Sequence, residues 1–285
     1  MDLFDEEEMD KKLKTPLRYP GGKSKATNKL LPYFPDLSKC EEYREPFLGG
    51  GSVAIAVTRK NSDMSVWVND LYWPLYNFWT QLQSNGELLS KELRESKLNS
   101  NEPVKARELF NLSKEILNSA NETPFNKAKA FWVVNKCSFS GLTESSTFSE
   151  QSSIVNFTLN GIDNLSEYSS FIKHWKITNL SYEQLLTDSG NNTFTYLDPP
   201  YEISSNLYGK KGSMHRGFDH DLFAKRCNES KLAKIAISYN ADQSVKDRFP
   251  HWTQNEFPLT YSMNNQSKNY RNQQKDRNEL LLTNY

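Results

Sequence analysis

Short apolar runs alternate with helical stretches towards both ends of the chain. The β-branched and aromatic runs predict strands at residues 42–47, 64–68, 176–179, 194–197, 234–238 and 279–283. The pattern between these runs predicts helices at residues 52–58, 165–175, 182–186 and 222–230. A glycine run separates the first strand from the first helix, as in the opening unit of a parallel sheet. The periodicity therefore predicts an α/β fold.

The pattern changes between about residues 76 and 160, where the α/β alternation stops. Helical stretches at residues 86–96, 104–118 and 125–135 alternate there with Asn- and Ser-rich connections, and residues 138–153 are polar. We interpret this block as a mainly helical insertion. The resulting organisation is a flexible tail at residues 1–14, an α/β domain from residues 15–75 and 162–285, and an insertion at residues 76–161.

The charged side chains balance overall, with 35 bases and 35 acids in 285 residues. Six acids and no base lie in the first ten residues, which leaves 35 bases against 29 acids in the rest of the chain. Two later segments concentrate the positive charge: residues 209–217, with Lys210, Lys211 and Arg216, and residues 264–277, with Lys268 and Arg271. A basic loop is usually only solvated. Both segments flank candidate catalytic residues, however, which favours contacts with nucleic-acid phosphates.

Several classes of protein are excluded by what the chain lacks. No run approaches the roughly 18 apolar residues of a membrane span, and the acidic N-terminus has no apolar core of a secretion signal. The cysteines, Cys40, Cys137 and Cys227, have neither disulfide nor zinc spacing. We therefore expect an intracellular protein of the bacterial or host cytoplasm or nucleoid, without membrane contact or metal site, whose cysteines are buried.

The strongest chemical signal is Asp198-Pro199-Pro200-Tyr201, directly after an apolar strand. Ligands of open α/β sheets bind at such strand ends. An exocyclic amine on a base is a poor nucleophile because its lone pair is delocalised into the ring. The Asp198 carboxylate and the Pro199 carbonyl can both accept from that amine and localise its lone pair. Tyr201 offers an aromatic face on which a base turned out of the helix can stack.

A glycine turn, Glu45-Pro46-Phe47-Leu48-Gly49-Gly50-Gly51-Ser52, is the second signal. Glycines between a strand and a helix let the backbone approach a ligand. Gly49 and Gly51 also match a dinucleotide fingerprint, and Asp70 lies about twenty residues further, where an acid grips ribose hydroxyls. An NAD-dependent oxidoreductase is thus an alternative. For Asp70, a helix cap before Leu71 is another.

A third segment, Tyr19-Pro20-Gly21-Gly22-Lys23, combines a tight turn with a basic residue. Such a turn is usually only a connection. Ahead of the glycine turn it suits a loop that covers a bound cofactor.

Five motifs follow one another along the chain: RYPGGK, EPFLGGGS, VNDLYWPLYN, YLDPPY and RNELLLTNY. The set resembles the motifs of the Dam-type, or D12 class, DNA adenine-N6 methyltransferases, over about residues 16–79 and 176–285. The resemblance implies a class I S-adenosylmethionine-dependent methyltransferase fold, a Rossmann-like seven-stranded mixed sheet. Residues 76–161 would be its target-recognition insertion, between the second and third strands. The implied activity is methyl transfer from S-adenosylmethionine to N6 of a flipped-out adenine in double-stranded DNA; N4-cytosine methylation, which uses the same geometry, is an alternative.

The resemblance also implies roles for individual residues. Asp198, Pro199, Pro200 and Tyr201 would be catalytic. Lys23 would meet the carboxylate of the cofactor's methionine half, and Tyr182 would lie near its adenine. The family often has an acid where this chain has Ser181, and Glu183 is close enough in sequence to replace it. The full set of implied cofactor contacts is Tyr19, Lys23, Glu45, Pro46, Phe47, Gly49, Gly51, Ser52, Asp70, Tyr182 and Asp198.

The insertion departs from the family pattern. The stretch that ends at Gly141-Leu142 resembles the segment that GATC-methylating relatives follow with an arginine, whereas Thr143-Glu144 follows here. Arginine is the commonest reader of guanine, so a GATC target is not assumed. Asn135, Lys136 and Ser140 are the candidates for DNA contact in this segment, and a buried helix end is the alternative.

Overall fold

Seven strands form one mixed sheet at the centre of the protein. The computed structural model describes residues 13–19, 21–139, 146–187, 190, 192–201, 217–230, 233–259 and 277–285. The strands are β1 (Glu42–Glu45), β2 (Ser65–Asn69), β3 (Lys176–Thr178), β4 (Thr193–Leu197), β5 (Lys234–Asn240), β6 (Thr253–Leu259) and β7 (Arg277–Thr283). The predicted seven-stranded α/β architecture is confirmed.

Helices connect these strands and cover the sheet. The α-helices of the described residues are α1 (Thr27–Leu30), α2 (Ser52–Lys60), α3 (Trp73–Asn99), α4 (Pro103–Asn118), α5 (Pro124–Cys137), α6 (Glu150–Val155), α7 (Leu159–Phe171), α8 (Tyr182–Leu186), α9 (His220–Glu229) and α10 (Gln243–Arg248). Short 3-10 turns lie at Lys23–Lys25, Leu31–Tyr33 and Leu37–Lys39.

The strand order is β3-β2-β1-β4-β5-β7-β6. The first five of these strands pair in parallel, and β7 runs antiparallel to both β5 and β6. The chain moves outward from β1 to β3 and then returns to β4 on the other side of β1. The carboxyl ends of β1 and β4 therefore flank the point where the order reverses, which is where open α/β sheets bind ligands.

Two apolar clusters pack on the two faces of the sheet. Successive strand residues point to opposite faces. Tyr196 belongs to the larger cluster and its neighbour Leu197 to the smaller one. The larger cluster also contains residues of the insertion helices, so the insertion shares the core of the α/β domain.

Helices α3 to α7 follow one another between β2 and β3. Helix α3 packs against α5 and α7, and α4 packs against α5. The insertion is predicted to span residues 76–161. Helix α3 begins at Trp73 and α7 continues past residue 161, so each predicted border falls inside a helix. Asn85 interrupts α3 with non-helical backbone angles, directly before the residue at which the sequence pattern placed the start of a helix.

Three local expectations differ from the structure. The flexible tail is predicted to extend to residue 14. Leu13 is nevertheless buried and its carbonyl accepts from Arg59, so the ordered part of the chain begins earlier than predicted. The helix expected at residues 165–175 lies earlier, at Leu159–Phe171. Strand β6 was missed because its sequence, TQNEFPL, is polar and contains Pro258, which suits only an edge strand.

The cysteines agree with expectation, since Cys40, Cys137 and Cys227 are all buried and free. Among the described residues, no helix combines the length and apolar character needed to cross a membrane.

Candidate active site

Asp198 follows β4, whose five residues are all buried. Strand β4 lies between β1 and β5 in the sheet, so Asp198 stands at the reversal of the strand order. Its own side chain is 21% exposed. The buried strand thus fixes a carboxylate at the crevice while leaving it accessible.

Lys23 forms a salt bridge with Asp198. Its Nζ donates to Asp198 Oδ1 at 2.7 Å and to Oδ2 at 2.8 Å. The same ammonium lies 3.4 Å from Glu279 Oε1, and both Lys23 and Glu279 are almost completely buried. Lys23, which the sequence places in a loop over the cofactor, therefore pairs with two carboxylates of the protein.

Tyr201 is held at both its ring and its hydroxyl group. The hydroxyl donates to Glu279 Oε1 at 2.6 Å. The ring stacks on Tyr239 with centroids 5.6 Å apart and planes 22° apart, and Lys23 Nζ lies 4.8 Å from the ring centroid. The aromatic face expected to receive a base thus contacts protein groups in this structure.

Burial dominates the electrostatics of the carboxylates. Burial, together with the neighbouring Glu279, raises the pKa of Asp198 to about 6, against the lowering effect of Lys23. Glu45 is fully enclosed at the end of β1, where it accepts from the Tyr43 hydroxyl at 2.6 Å. Burial raises the pKa of Glu45 well above its usual range. The crevice therefore contains several acids whose ionised forms are destabilised by burial.

The glycine turn is shaped by two aromatic side chains. Gly49 and Gly51 have positive φ, at 51° and 69°, which few other residues adopt. A Cβ on Gly51 would lie 2.6 Å from the Trp79 ring, and one on Gly49 would lie 3.0 Å from the Tyr19 ring. Trp79 Nε1 also donates to the Gly49 carbonyl at 3.1 Å. Here the glycines permit close packing of Tyr19 and Trp79.

Asp70 connects the glycine turn to α3. One carboxylate oxygen accepts from the Gly49 amide and the other from the Tyr72 amide, each at 2.9 Å. The second bond closes a tight turn before α3, whose N-cap is Tyr72 and has no side-chain cap hydrogen bond, so the alternative that Asp70 caps a helix is wrong. Burial raises the pKa of Asp70 to about 6, against the two amide bonds. Each oxygen has a further lone pair with which it can accept, so these two bonds and ligand binding are compatible.

Neighbouring Asn69 links three strand ends. Its amide donates to the carbonyls of Pro46 and Leu180, and its oxygen accepts from the Leu180 amide and the Thr178 hydroxyl. These bonds fix the positions of the loops that follow β1 and β3.

A half-buried aromatic group lies beside these loops. Phe47 stacks with Tyr182 at 5.5 Å, and Phe218 lies 5.8 Å from both rings. Burial raises the pKa of Tyr182 to about 12. Glu183 accepts from Arg226 and from the Ser181 hydroxyl. The group supplies flat apolar surfaces of the kind that bind a purine ring.

Pro46 and Ser52 are buried within the same segment, and Pro199 is buried after Asp198, while Pro200 is half-buried. Ser52 is the first residue of α2. The structure thus brings the described members of the expected cofactor set around the carboxyl ends of β1, β2 and β4.

Two of the candidates for DNA contact, Asn135 and Lys136, are among the described residues. Asn135 is fully buried, accepts from the Arg18 amide at 2.9 Å and donates to the Arg18 carbonyl at 2.6 Å. This geometry favours the buried helix-end alternative. Lys136 lies with its Nζ 5.2 Å from the Trp132 ring centroid, and burial lowers its pKa to about 8. Seven other expected residues lie outside the described part of the chain: Pro20, Ser140, Lys210, Lys211, Arg216, Lys268 and Arg271.

Several contacts at the site were not expected from the sequence. Glu279, Tyr239, Trp79 and Asn69 all contact expected site residues. Glu279 and Asn69 lie within motifs that the sequence singled out, and a charged residue among the leucines of β7 was a visible signal. Nothing in the sequence distinguishes Trp79 and Tyr239 from ordinary core residues.

Comparison with known proteins gives two matches. The family model for the D12 class N6 adenine-specific DNA methyltransferases matches residues 19–278. The modification methylase StsI of Streptococcus sanguinis is 27% identical over 296 residues, which cover 96% of this chain and 43% of that protein. The chain therefore spans less than half the length of this relative. The family model covers nearly the whole chain, and the strand order is that of a class I methyltransferase. The chain therefore belongs to the D12 class N6 adenine-specific DNA methyltransferase family.

Proposed function

We propose that this protein transfers a methyl group from S-adenosylmethionine to N6 of adenine in double-stranded DNA. The observation that carries the proposal is the partly exposed Asp198 carboxylate after β4, at the reversal of the strand order. Family membership supports the same chemistry and decides against the oxidoreductase alternative.

The residues around the crevice fit S-adenosylmethionine. The half-buried rings of Phe47, Tyr182 and Phe218 suit its adenine, and Asp70 can still accept from ribose hydroxyls. Lys23 is a buried ammonium that can pair with the cofactor's carboxylate as well as with Asp198. The cofactor supplies an electrophilic methyl group on a sulfonium sulfur. Tyr19, Glu45, Pro46, Gly49, Gly51 and Ser52 form or support the loop that we assign to the methionine half.

The protein's own groups prepare the amine. Asp198 and the Pro199 carbonyl accept the two N6 hydrogens, which draws the nitrogen towards tetrahedral geometry and localises its lone pair. Pro199 and Pro200 have fixed φ and no amide hydrogen to compete for these acceptors. After N6 has gained the methyl group it must lose one proton, and Asp198, with a pKa of about 6, can receive that proton and pass it to water.

Asp198 has to exchange partners during this sequence. In the structure both of its oxygens accept from Lys23. The base amine needs one of these oxygens, so we infer that Lys23 moves partly towards another anion when the base enters. Glu279 and the cofactor's carboxylate are the two anions that we assign to this role.

The decisive test is expression in a methylation-free host followed by mass spectrometry of the digested DNA nucleosides. N6-methyladenine should appear, and N4-methylcytosine in its place would contradict the adenine assignment. Asp198→Ala should lower the rate at least about 100-fold while circular dichroism stays unchanged. Asp163→Ala, which removes only an exposed ion pair with Arg94, is the matched control and should keep full activity.

We further propose that the basic segments contact DNA phosphates, through Lys210, Lys211, Arg216, Lys268 and Arg271, with Lys136 and Ser140 as contacts from the insertion. Alanine at one of these lysines should weaken binding on all sequences and reduce the slope of log affinity against log salt by about 1. Binding titrations at several salt concentrations measure this slope. Lys225→Ala, on the exposed face of α9, is the control, and an equal change in that variant would contradict the assignment.

A further inference from the structure

Glu279 is a carboxylate among leucines. It lies on β7, where the next three residues, Leu280, Leu281 and Leu282, are fully buried, and Glu279 itself is 0% exposed. A carboxylate that is buried without partners destabilises the fold strongly, because it has lost its hydration. Its position therefore depends on the groups that compensate it.

Two of the groups that compensate it belong to the candidate active site. Lys23 Nζ lies 3.4 Å from Glu279 Oε1, and the Tyr201 hydroxyl donates to the same oxygen at 2.6 Å. Strand β7 is separated from β4 by β5, so Tyr201 reaches across one whole strand. Glu279 thereby joins the segment after β4 to the antiparallel side of the sheet.

The contact with Tyr201 limits the position of its ring. Stacking on Tyr239 fixes the plane of the ring, and the bond to Glu279 fixes where along that plane the hydroxyl lies. Without the bond, the ring could slide over Tyr239, because offset-stacked rings are favourable over a range of centroid separations, from about 4.5 to 7 Å.

The contact with Lys23 divides one positive charge between two acids. Asp198 takes the shorter bonds, at 2.7 and 2.8 Å, and Glu279 takes the longer contact. A second acid near the ammonium weakens the ion pair between Lys23 and Asp198. Asp198 can then more easily exchange Lys23 for the amine of a base.

We propose that Glu279 is a positioning residue for methyl transfer, acting through Tyr201 on the target base and through Lys23 on Asp198. The inference rests on the proposed function. It adds a residue of β7, remote in sequence from the catalytic tetrapeptide, to the groups that set its geometry.

The test compares Glu279→Gln, Glu279→Leu and Tyr201→Phe with the wild-type protein on genomic DNA from a methylation-free host. Glu279→Leu and Tyr201→Phe both remove the tether, so each should lower kcat by up to about 100-fold. The double variant should lose less than the product of the two single losses, since the tether is lost only once. Losses that multiply in full in the double variant would overturn the tether.

Glu279→Gln separates charge from hydrogen bonding, because the amide oxygen still accepts from Tyr201. With Glu279 uncharged, Lys23 pairs with Asp198 alone, so kcat should fall. The pKa of Asp198 should also fall, because the neighbouring negative charge that raises it is gone. The acid limb of the activity profile, which is the decline of kcat at low pH, should then move to lower pH. The titratable groups that face Asp198 are Lys23, Glu45, Tyr196, Tyr201 and Glu279.

Glu42→Gln is the matched control. Glu42 is a carboxylate at the first residue of β1, at the opposite end of that strand from the crevice, and it pairs with Arg44 at 2.7 Å, so the variant should lower thermal stability without moving kcat or the acid limb. The inference is overturned if Glu279→Gln keeps the wild-type kcat and acid limb. A wild-type protein that transfers no methyl group would overturn the proposed function itself, which distinguishes the two failures.

Discussion

At the scale of single residues, Asp198 is subject to opposing influences. Burial and Glu279 favour its protonated form, whereas Lys23 favours the carboxylate, and the balance places its pKa at about 6. Only the carboxylate form can accept both from Lys23 and from a base amine. The protonation state of one residue therefore controls both the resting contact and the proposed chemistry.

Activity should consequently decline in acid. Protonation removes an acceptor for the amine, so kcat/KM should fall about tenfold for each pH unit below about 6. The measurement is a rate profile between about pH 5 and 8, at pH values where the fold is intact by circular dichroism. The residual activity of Asp198→Ala should lack this limb. A wild-type profile that stays level throughout the range would contradict the role of Asp198.

At the scale of elements, the glycine turn between β1 and α2 is held by parts of the chain distant in sequence. Tyr19 packs against it from the N-terminal segment and Trp79 from α3. Asp70 bonds its backbone from the end of β2. The turn thus has one conformation because three other elements meet there.

Gly51→Ala tests this packing. The added Cβ would meet the Trp79 ring in a backbone conformation with φ of 69°, so the free energy of unfolding should fall by about 2 to 4 kcal/mol. Chemical denaturation measures the change. Gly190→Ala is the control, because its Cβ would have Thr193 Oγ1 at 4.0 Å as its nearest neighbour, and its effect should stay within about 0.5 kcal/mol. Equal effects of the two variants would contradict the packing.

The sequence predicted the elements whose pattern is local. Strand β4 and helix α8 are apolar or amphipathic runs, and both were found within one residue of their observed bounds. Strand β6 was missed because pairing with β7 stabilises it despite a polar sequence. Likewise, the motifs placed Asp198 and Lys23 in one site, but the salt bridge between them joins residues 175 positions apart. Such a contact depends on the whole fold and leaves no local pattern.

At the scale of the whole molecule, the insertion and the α/β domain share one core. Trp79 from α3 reaches the glycine turn, and Arg18 from the N-terminal segment donates to the carbonyl of Ser138 at 2.8 Å, just after α5. Asn135 binds the backbone of Arg18 on both sides. The site that we assign to the cofactor therefore lies against the segment that we assign to target recognition.

Cofactor binding should stabilise this whole arrangement. S-adenosylmethionine at about one hundred times its Kd should add about 2.7 kcal/mol to the free energy of unfolding. The measurement is the Tm in a thermal scan with increasing cofactor. NAD at the same concentrations is the matched control and should leave the Tm unchanged. A larger shift with NAD would contradict the cofactor assignment.

The two outer strands of the sheet also bear on how the protein behaves at high concentration. Strand β3 has only three residues, and β6 carries Pro258, whose carbonyl accepts from Lys29 at 2.8 Å. A strand edge with unpaired amides and carbonyls recruits strands from other molecules, and short length, proline and lysine all oppose such recruitment. We therefore expect that neither edge of the sheet acts as a template for intermolecular aggregation.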